Sequence, residues 1–243
     1  MDQNLNSKKT LAIHKNLIEN KKLLRNVYVD FYKRLSKIKV PEGTQIEIGS
    51  GSGFIKKIIP EIITSDIVQG PNINKVFSAE KIPYKKESVS AFYMLNTFHH
   101  IKNPTKALTE MQRCLKPTGK IIMIEPYNSL WARFIFQNFH HENFDPKAKW
   151  KITGEGRLSG ANGALPWIVF VRDKDKFTKM FPLLKISQIS IHTPLSYLVS
   201  GGLSRPQILP TPLYIIIILL EKFLHPFNRL LGMFVTINLQ KKA

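Results

Sequence analysis

Apolar residues along this chain follow one spacing up to about residue 40 and another beyond it. Between Ser7 and Lys37, the residues Leu11, Leu17, Ile18, Leu24, Tyr28, Phe31, Tyr32 and Leu35 recur at roughly helical intervals among lysines. That pattern predicts one or two amphipathic helices, an N-terminal helical extension over residues 1–40 packed outside the core and placed to cover a ligand site. Val40-Pro41-Glu42-Gly43 interrupts it. Short apolar runs then take over: Ile46 to Ile48, Ile62 to Asp66, Lys75 to Ser78, Val89 to Leu95 and Lys120 to Ile124. Each is a predicted strand. The last is nearly all apolar, as a strand buried on both faces should be. Phe54 to Ile59 reads as the start of a helix, and Thr105 to Leu115 as a full one, ended by the turn Lys116-Pro117-Thr118-Gly119. Strands alternating with helices predict an α/β fold with a mostly parallel sheet and helices on both faces.

Past Glu125 the pattern loosens. Tyr127 to Lys174 is rich in aromatics, His, Gly and Asn with few clear elements. So long an irregular stretch is usually functional, which suggests a substrate-binding insertion at about 127–182 within a domain running from 41 to 243. Asp173 to Phe181 looks like a short helix stopped by Pro182, Lys185 to His192 like a sixth strand, and Met233 to Leu239 like a final one. Between the last two strands lies the aliphatic stretch Ile208 to Leu231, whose unbroken apolar run, Leu213 to Leu220, is far short of the roughly 20 residues that span a bilayer. A buried helix is one reading of it. Peripheral contact with a membrane surface, helped by Lys222 and Arg229, is the other.

At 243 residues one domain is expected. The single cysteine, Cys114, excludes an intramolecular disulfide and fits a reducing compartment. Met1 to Lys22 has no apolar signal core. Together these features suggest a cytoplasmic protein, with the inner face of the membrane as a site of peripheral contact. The formal charge of +19 suits an anionic partner. The same excess follows from a Lys-, Ile- and Asn-rich composition, so charge alone is a weak guide to function.

The stretch that says most is Glu47-Ile48-Gly49-Ser50-Gly51-Ser52-Gly53, directly after the first strand. Strand, glycine turn and helix make a nucleotide-binding corner, because glycines permit positive φ and close approach of a ligand. A dinucleotide fingerprint would need a third glycine at position 54, where Phe54 stands. The E-x-G-x-G-x-G pattern instead resembles the first motif of class I S-adenosylmethionine-dependent methyltransferases, and the resemblance continues in order along most of the chain. It implies a Rossmann-like methyltransferase fold, a seven-stranded sheet with an antiparallel last strand, and S-adenosyl-L-methionine as cofactor. Glu47 would serve the cofactor's ammonium end, while Gly49, Ser50, Gly51 and Gly53 wrap its amino-acid part. Asp66 would bind the ribose hydroxyls, since a carboxylate accepts two hydrogen bonds from a vicinal diol. Ser78-Ala79-Glu80-Lys81-Ile82-Pro83-Tyr84 is similar to the family's D-A-E-x-L-P-F segment, with Ser78 where Asp is usual. The Ala79 backbone then becomes the better contact for the adenine. Asn96 opens the next motif, Asn96 to Ile101, whose His99 and His100 are read as packed residues. Arg113 to Gly119 resembles the family's structural R-x-L-K-P-G-G turn.

The acceptor end is expected after the fifth strand, since strand C-terminal ends face the ligand crevice in such folds. There the chain carries Asn138-Phe139-His140-His141-Glu142-Asn143-Phe144-Asp145. His140 or His141 is the candidate base, oriented by Glu142 or Asp145. A loop in which the histidines only bind substrate is the alternative. No metal is expected, because neighbouring histidines seldom give zinc geometry. Leu158 to Asp173, Tyr197 to Ser204 and the His-His-Glu segment together resemble a bacterial methyltransferase subgroup linked to surface-polysaccharide biosynthesis. That favours a sugar or lipid-linked saccharide, O-methylated, on which Trp131, Trp150 or Trp167 could stack. A membrane-held quinone or lipid and RNA are the competing acceptors. Nucleic acid is disfavoured because Asn96-Thr97-Phe98-His99 lacks the N/D-P-P-Y/F tetrapeptide of amino-directed enzymes.

Overall fold

A computed structural model of the chain describes residues 8–140, 142–152 and 160–243, with side chains from residue 12 onward. The strands are β1 (Thr44–Ile48), β2 (Ile63–Asp66), β3 (Lys75–Val76), β4 (Val89–Leu95), β5 (Leu115–Pro126), β6 (Leu184–His192) and β7 (Phe234–Lys241). They form one sheet in the order β3-β2-β1-β4-β5-β7-β6. Pairing is parallel from β3 through β5, and β7 runs antiparallel to both β5 and β6. The order turns back between β1 and β4, and at such a switch point the strand ends part to leave a crevice. Every residue of β4 is buried, the pattern of a strand covered on both faces.

The helices are α1 (Lys8–Asn20), α2 (Lys22–Ser36), α3 (Pro104–Cys114), α4 (Leu130–Phe139), α5 (Leu165–Trp167), α6 (Lys174–Met180), α7 (Ser196–Val199), α8 (Tyr214–Phe223) and α9 (Asn228–Leu231). Local chemistry sets their starts. Asn103 caps α3 by accepting Lys106 N–H, with Pro104 in the first turn, and Ser129 caps α4 by accepting Ala132 N–H.

Four elements differ from the sequence expectation. Rather than lying outside the core, α2 forms part of it: Leu24, Val27, Phe31 and Leu35 belong to the main buried cluster. After the glycine turn the expected helix is one 3-10 turn, Phe54–Lys57. Pro60, three residues on, restricts Ile59 and cannot donate to a longer helix. The turn expected at 116–119 lies inside the bounds of β5, where the β4 pairing shifts register. Thr118 has φ +62° there, and a Cβ on Gly119 would come within 3.0 Å of Lys116 O and Ser90 O. The expectation of a buried aliphatic helix also fails. Only Ile217 of α8 is buried, while Ile215, Ile216, Leu219, Leu220 and Phe223 are exposed. Among the described residues no helix is long and apolar enough to cross a membrane.

Candidate cofactor and acceptor site

The glycine turn is built from positive-φ backbone. Gly49, Gly51 and Gly53 have φ of +68°, +54° and +66°. A Cβ on Gly49 would come within 2.3 Å of Thr97 Cγ2, and one on Gly53 within 2.5 Å of Asn72 Cβ. A Cβ on Gly51 meets nothing within 4 Å, so that position opens towards the crevice. Ser50 fastens β1 to β2, its Oγ accepting Ser65 N–H (3.1 Å) and donating to Glu47 O (3.2 Å). At the end of β2, Asp66 accepts Gly51 N–H through Oδ2 (3.0 Å) and Val68 N–H through Oδ1 (3.3 Å). One carboxylate thereby fixes the turn while facing the cavity.

That cavity has a volume of about 1380 Å³, more than one small ligand needs. Gly49, Ser50, Gly51, Asp66, Ala79 and Asn96 line its cofactor half. Ser78 lines it too, but the Ser78 Oγ accepts Glu80 N–H (3.1 Å) in its own turn. Ile67 and Phe77, which the sequence reading passed over, add an apolar wall beside Ala79. Glu47 and Gly53 do not face the cavity. Glu47 is buried beneath it, with Oε1 accepting Tyr32 O–H at 2.8 Å and Oε2 unpaired. Burial pushes this carboxyl up to about 8 against the Tyr32 hydrogen bond, and the neighbouring Asp66 adds to the rise. Asn96 adopts φ +50° and carries a second buried acceptor, Oδ1, with no partner.

These groups fit S-adenosylmethionine. The buried, unpartnered Asn96 Oδ1 lines the cavity and can accept from a donor such as an ammonium, with the Glu47 carboxyl beneath it. Asp66 can meet a diol, and the wall of Ile67 and Phe77 suits a flat heteroaromatic ring.

The acceptor half is a cluster of imidazoles and carboxylates from three separate segments. Glu125, at the end of β5, is fully buried. Its Oε1 accepts Thr97 N–H (2.8 Å) and Phe98 N–H (2.7 Å), and its Oε2 accepts His99 Nδ1–H (2.6 Å). His99 Nε2 then faces Glu142 Oε2 at 3.3 Å, His100 Nε2 lies 3.7 Å from Glu142 Oε1, and His140 Nδ1 lies 4.0 Å from Glu142 Oε2. Burial alone would lower the His99 pKa, but the charges and hydrogen bonds of Glu125 and Glu142 outweigh it and lift it to about 10. Glu142 moves the other way. Burial would raise its carboxyl, yet the His99 hydrogen bond and the charges of His99, His100 and His140 hold it well below the usual carboxylate range.

Of the residues singled out for catalysis, Glu142 and His140 line the cavity. His140 Nδ1 accepts Glu142 N–H (3.2 Å), so the neutral ring carries its proton on Nε2 and presents a donor there. Asp145 lies outside the cavity lining, and its Oδ1 accepts Lys147 N–H (2.8 Å) in a local turn. His141, like Leu158 and Ser159, lies outside the described residues. His99 and His100, read as packing from the sequence, line the cavity. Glu125 was not singled out at all, although an acid between Ile124 and Pro126 at the end of an apolar strand is a legible signal. None of the three tryptophans lines the cavity. Trp131 donates to Pro194 O and Trp150 to Asp173 Oδ2, and the aromatic walls are Tyr28, Phe136, Phe139, Tyr197 and Phe234 instead.

Residues 46–123 match the family model described as a methyltransferase domain. A segment of 120 residues, 46% of this chain, is 32% identical to a probable polyketide synthase 10 of Dictyostelium discoideum, and the match spans only 5% of that protein's length. Among solved structures, a Thermotoga maritima S-adenosylmethionine-dependent methyltransferase, described as a possible histamine N-methyltransferase, superposes with a TM-score of 0.56. It is 18% identical over 95% of this chain and 99% of that one. A Haloferax volcanii protein solved in complex with the Trm112 methyltransferase activator also gives 0.56, at 14% identity over 93% and 94% of the two chains. The glycine turn and the acid closing β2 thus lie within the segment that matches a methyltransferase domain, and the fold around them, antiparallel β7 included, is one shared with these solved structures.

Proposed function

We propose that this protein is an S-adenosylmethionine-dependent methyltransferase that acts on a hydroxyl oxygen of a small molecule, with a sugar or lipid-linked saccharide as the leading acceptor class. One observation carries the acceptor side: the Glu142 carboxylate, ringed by His99, His100 and His140, faces the same cavity as Asp66 and the glycine turn. The cofactor supplies a methyl group already activated on a sulfonium. The chain's own task is to hold the two reactants in line and exclude water, which can supply much of the rate. Glu142 receives the hydrogen bond of the acceptor hydroxyl and aims its oxygen. A carboxylate held this acidic is a weak proton acceptor, and His140 offers a donor, so the arrangement favours positioning over proton abstraction.

The test is an acceptor screen that starts with sugars and lipid-linked sugars, run on wild type and Glu142→Gln. The variant should lose about 100-fold or more in kcat while its affinity for S-adenosylhomocysteine stays within about threefold. Equal turnover in the two proteins would remove Glu142 from the acceptor site.

A second reading concerns how the acceptor is presented. The face formed by Ile215, Ile216, Leu219, Phe223, Phe227 and Leu230 is apolar and exposed. Lys222 and Arg229 stand exposed in the same segment. Glu221, the sole acidic residue after Asp175, is turned inward, where it accepts Leu195 N–H (2.9 Å) and Ser196 N–H (2.6 Å). An apolar face edged by cations with its acid withdrawn suits the interface of an anionic bilayer. Leu203, Arg205 and Ile208, just ahead of that face in the chain, line the cavity. This favours an acceptor with a lipid or quinone-like body delivered from the membrane surface.

A further inference from the structure

The imidazole–carboxylate cluster has a geometry that hydrogen bonding to a substrate does not require. One ligand atom each from His99, His100 and Glu142 lies within 4.8 Å of the other two. His99 Nε2 lies 3.3 Å from Glu142 Oε2 and His100 Nε2 lies 3.7 Å from Glu142 Oε1, one imidazole beside each carboxylate oxygen and each separation close to a tetrahedral edge. For ligand atoms about 2.1 Å from one zinc ion, that edge is about 3.4 Å.

Glu125 supplies an independent observation. Metal-binding histidines almost always give their second ring nitrogen to a carboxylate or carbonyl, which fixes the tautomer and ring orientation. His99 Nδ1 is held in this way by Glu125 Oε2 at 2.6 Å, and Glu125 is itself locked by two backbone N–H groups at 2.7 and 2.8 Å. The Nε2 lone pair of a neutral His99 is thereby aimed at Glu142. Two buried or nearly buried carboxylates, Glu125 and Glu142, also match the charge of a divalent ion.

We propose that His99, His100 and Glu142 form a divalent transition-metal site at the acceptor end of the cavity, with Glu125 as the positioning residue behind His99. Two imidazoles and one carboxylate suit zinc and its first-row neighbours and do not suit magnesium, which prefers all-oxygen shells. Three protein ligands leave a fourth position open, the arrangement of catalytic rather than structural sites. That position faces the cavity. The role assigned to the ion rests on the O-methylation reading above, with the hydroxyl held by the ion that Glu142 ligates instead of by Glu142 directly: an acceptor hydroxyl bound there loses its proton to bulk water more readily. The oxygen's electron pair then forms the new O–CH3 bond, and the pair of the broken S–CH3 bond stays on sulfur as the neutral thioether. The binding claim itself is independent of that role.

The experiment is a titration of the metal-free full chain with Zn²⁺ against a chromophoric competitor, and separately with Co²⁺ read by its visible d–d absorption. One ion per chain is expected, with the intense absorption of four- or five-coordinate Co²⁺. His100→Ala and Glu142→Ala should each weaken Zn²⁺ binding by about 100-fold or more, and Glu125→Gln by about 10–100-fold. Mg²⁺ should not compete. S-adenosylhomocysteine binding, measured on every variant, reports whether the fold and the cofactor half are intact. That readout separates failure of the metal site from failure of the methyltransferase assignment. No stoichiometric Zn²⁺ binding by wild type that still binds S-adenosylhomocysteine would overturn the proposal. So would a weak octahedral Co²⁺ spectrum, or Zn²⁺ affinity unchanged in folded variants. A variant that fails to fold leaves the decision with the wild-type Co²⁺ spectrum.

Discussion

The two halves of the cavity are made in different ways. The cofactor half is mostly local: the turn of Gly49, Gly51 and Gly53 and the carboxylate of Asp66 come from residues 47–66, joined by the Asp66 to Gly51 hydrogen bond. The acceptor half is convergent. His99 follows β4, Glu125 ends β5 and Glu142 follows α4, and no two of them are sequence neighbours. A binding function that depends on backbone conformation leaves a compact signature in the sequence. One that depends on side chains meeting across the fold leaves scattered single residues.

The largest expected effect tests whether the cofactor half stands alone. Asp66→Ala removes the carboxylate that would take two charge-assisted hydrogen bonds, and should weaken S-adenosylmethionine binding by about 100-fold or more. Calorimetric titration measures this, and circular dichroism checks the fold. If affinity survives, Asp66 serves the turn and not the ligand.

A smaller effect tests Glu47, whose state is set by Tyr32 from α2 as well as by the turn. In the free protein its carboxyl is raised to about 8 by burial, with Tyr32 O–H and Asp66 nearby. An arriving ammonium favours the ionised form, so binding below pH 8 must release a proton. Affinity should rise by up to about tenfold per pH unit from pH 6 towards 8 and then level off. Calorimetry in buffers of different ionisation enthalpy would detect the proton. The raised pKa also means that the folded state holds a proton which the unfolded state has lost. Stability should therefore fall as pH rises from the ordinary carboxyl range to about 8. Glu47→Gln should flatten both profiles.

The smallest effect on the fold tests how the acceptor is delivered. Phe223 is 75% exposed, so Phe223→Asp should change stability by no more than about 0.5 kcal/mol. Sedimentation with phosphatidylglycerol vesicles should nevertheless drop sharply relative to wild type. Equal sedimentation would leave the exposed face without its proposed membrane partner.

The same contrast explains what could be read in advance. Each of the seven strands was legible, because apolar runs of strand length between turn residues carry their own punctuation. The glycine turn was legible because only glycine tolerates those dihedrals beside Thr97 and Asn72. The helix expected after it is cut to one turn by Pro60, a constraint that apolar spacing does not carry. Glu142 and His140 were found through their crowded, polar neighbourhood. His99 and His100 were discounted because an isolated histidine motif says nothing about which carboxylate it will meet, and Glu125 is 26 residues away from His99 in the chain. The exposure of α8 could not be read either. An all-apolar helical run looks the same whether it faces a protein core or a lipid surface.

The placement of β7 has a consequence for assembly. Lys120 pairs with Gln240, and Leu184 with Lys241, so β6 joins the sheet only through a strand some 50 residues further along the chain. Until residues 234–241 dock, the long flank of β5 is an open edge with unsatisfied amides, and β6 has nothing to pair with. Such an intermediate invites pairing between molecules. Closing loops of this length also slows the search for the native arrangement. A chain whose glycine turn, Asp66 and imidazole–carboxylate cluster all lie before residue 143 therefore still depends, for its solubility during folding, on β7.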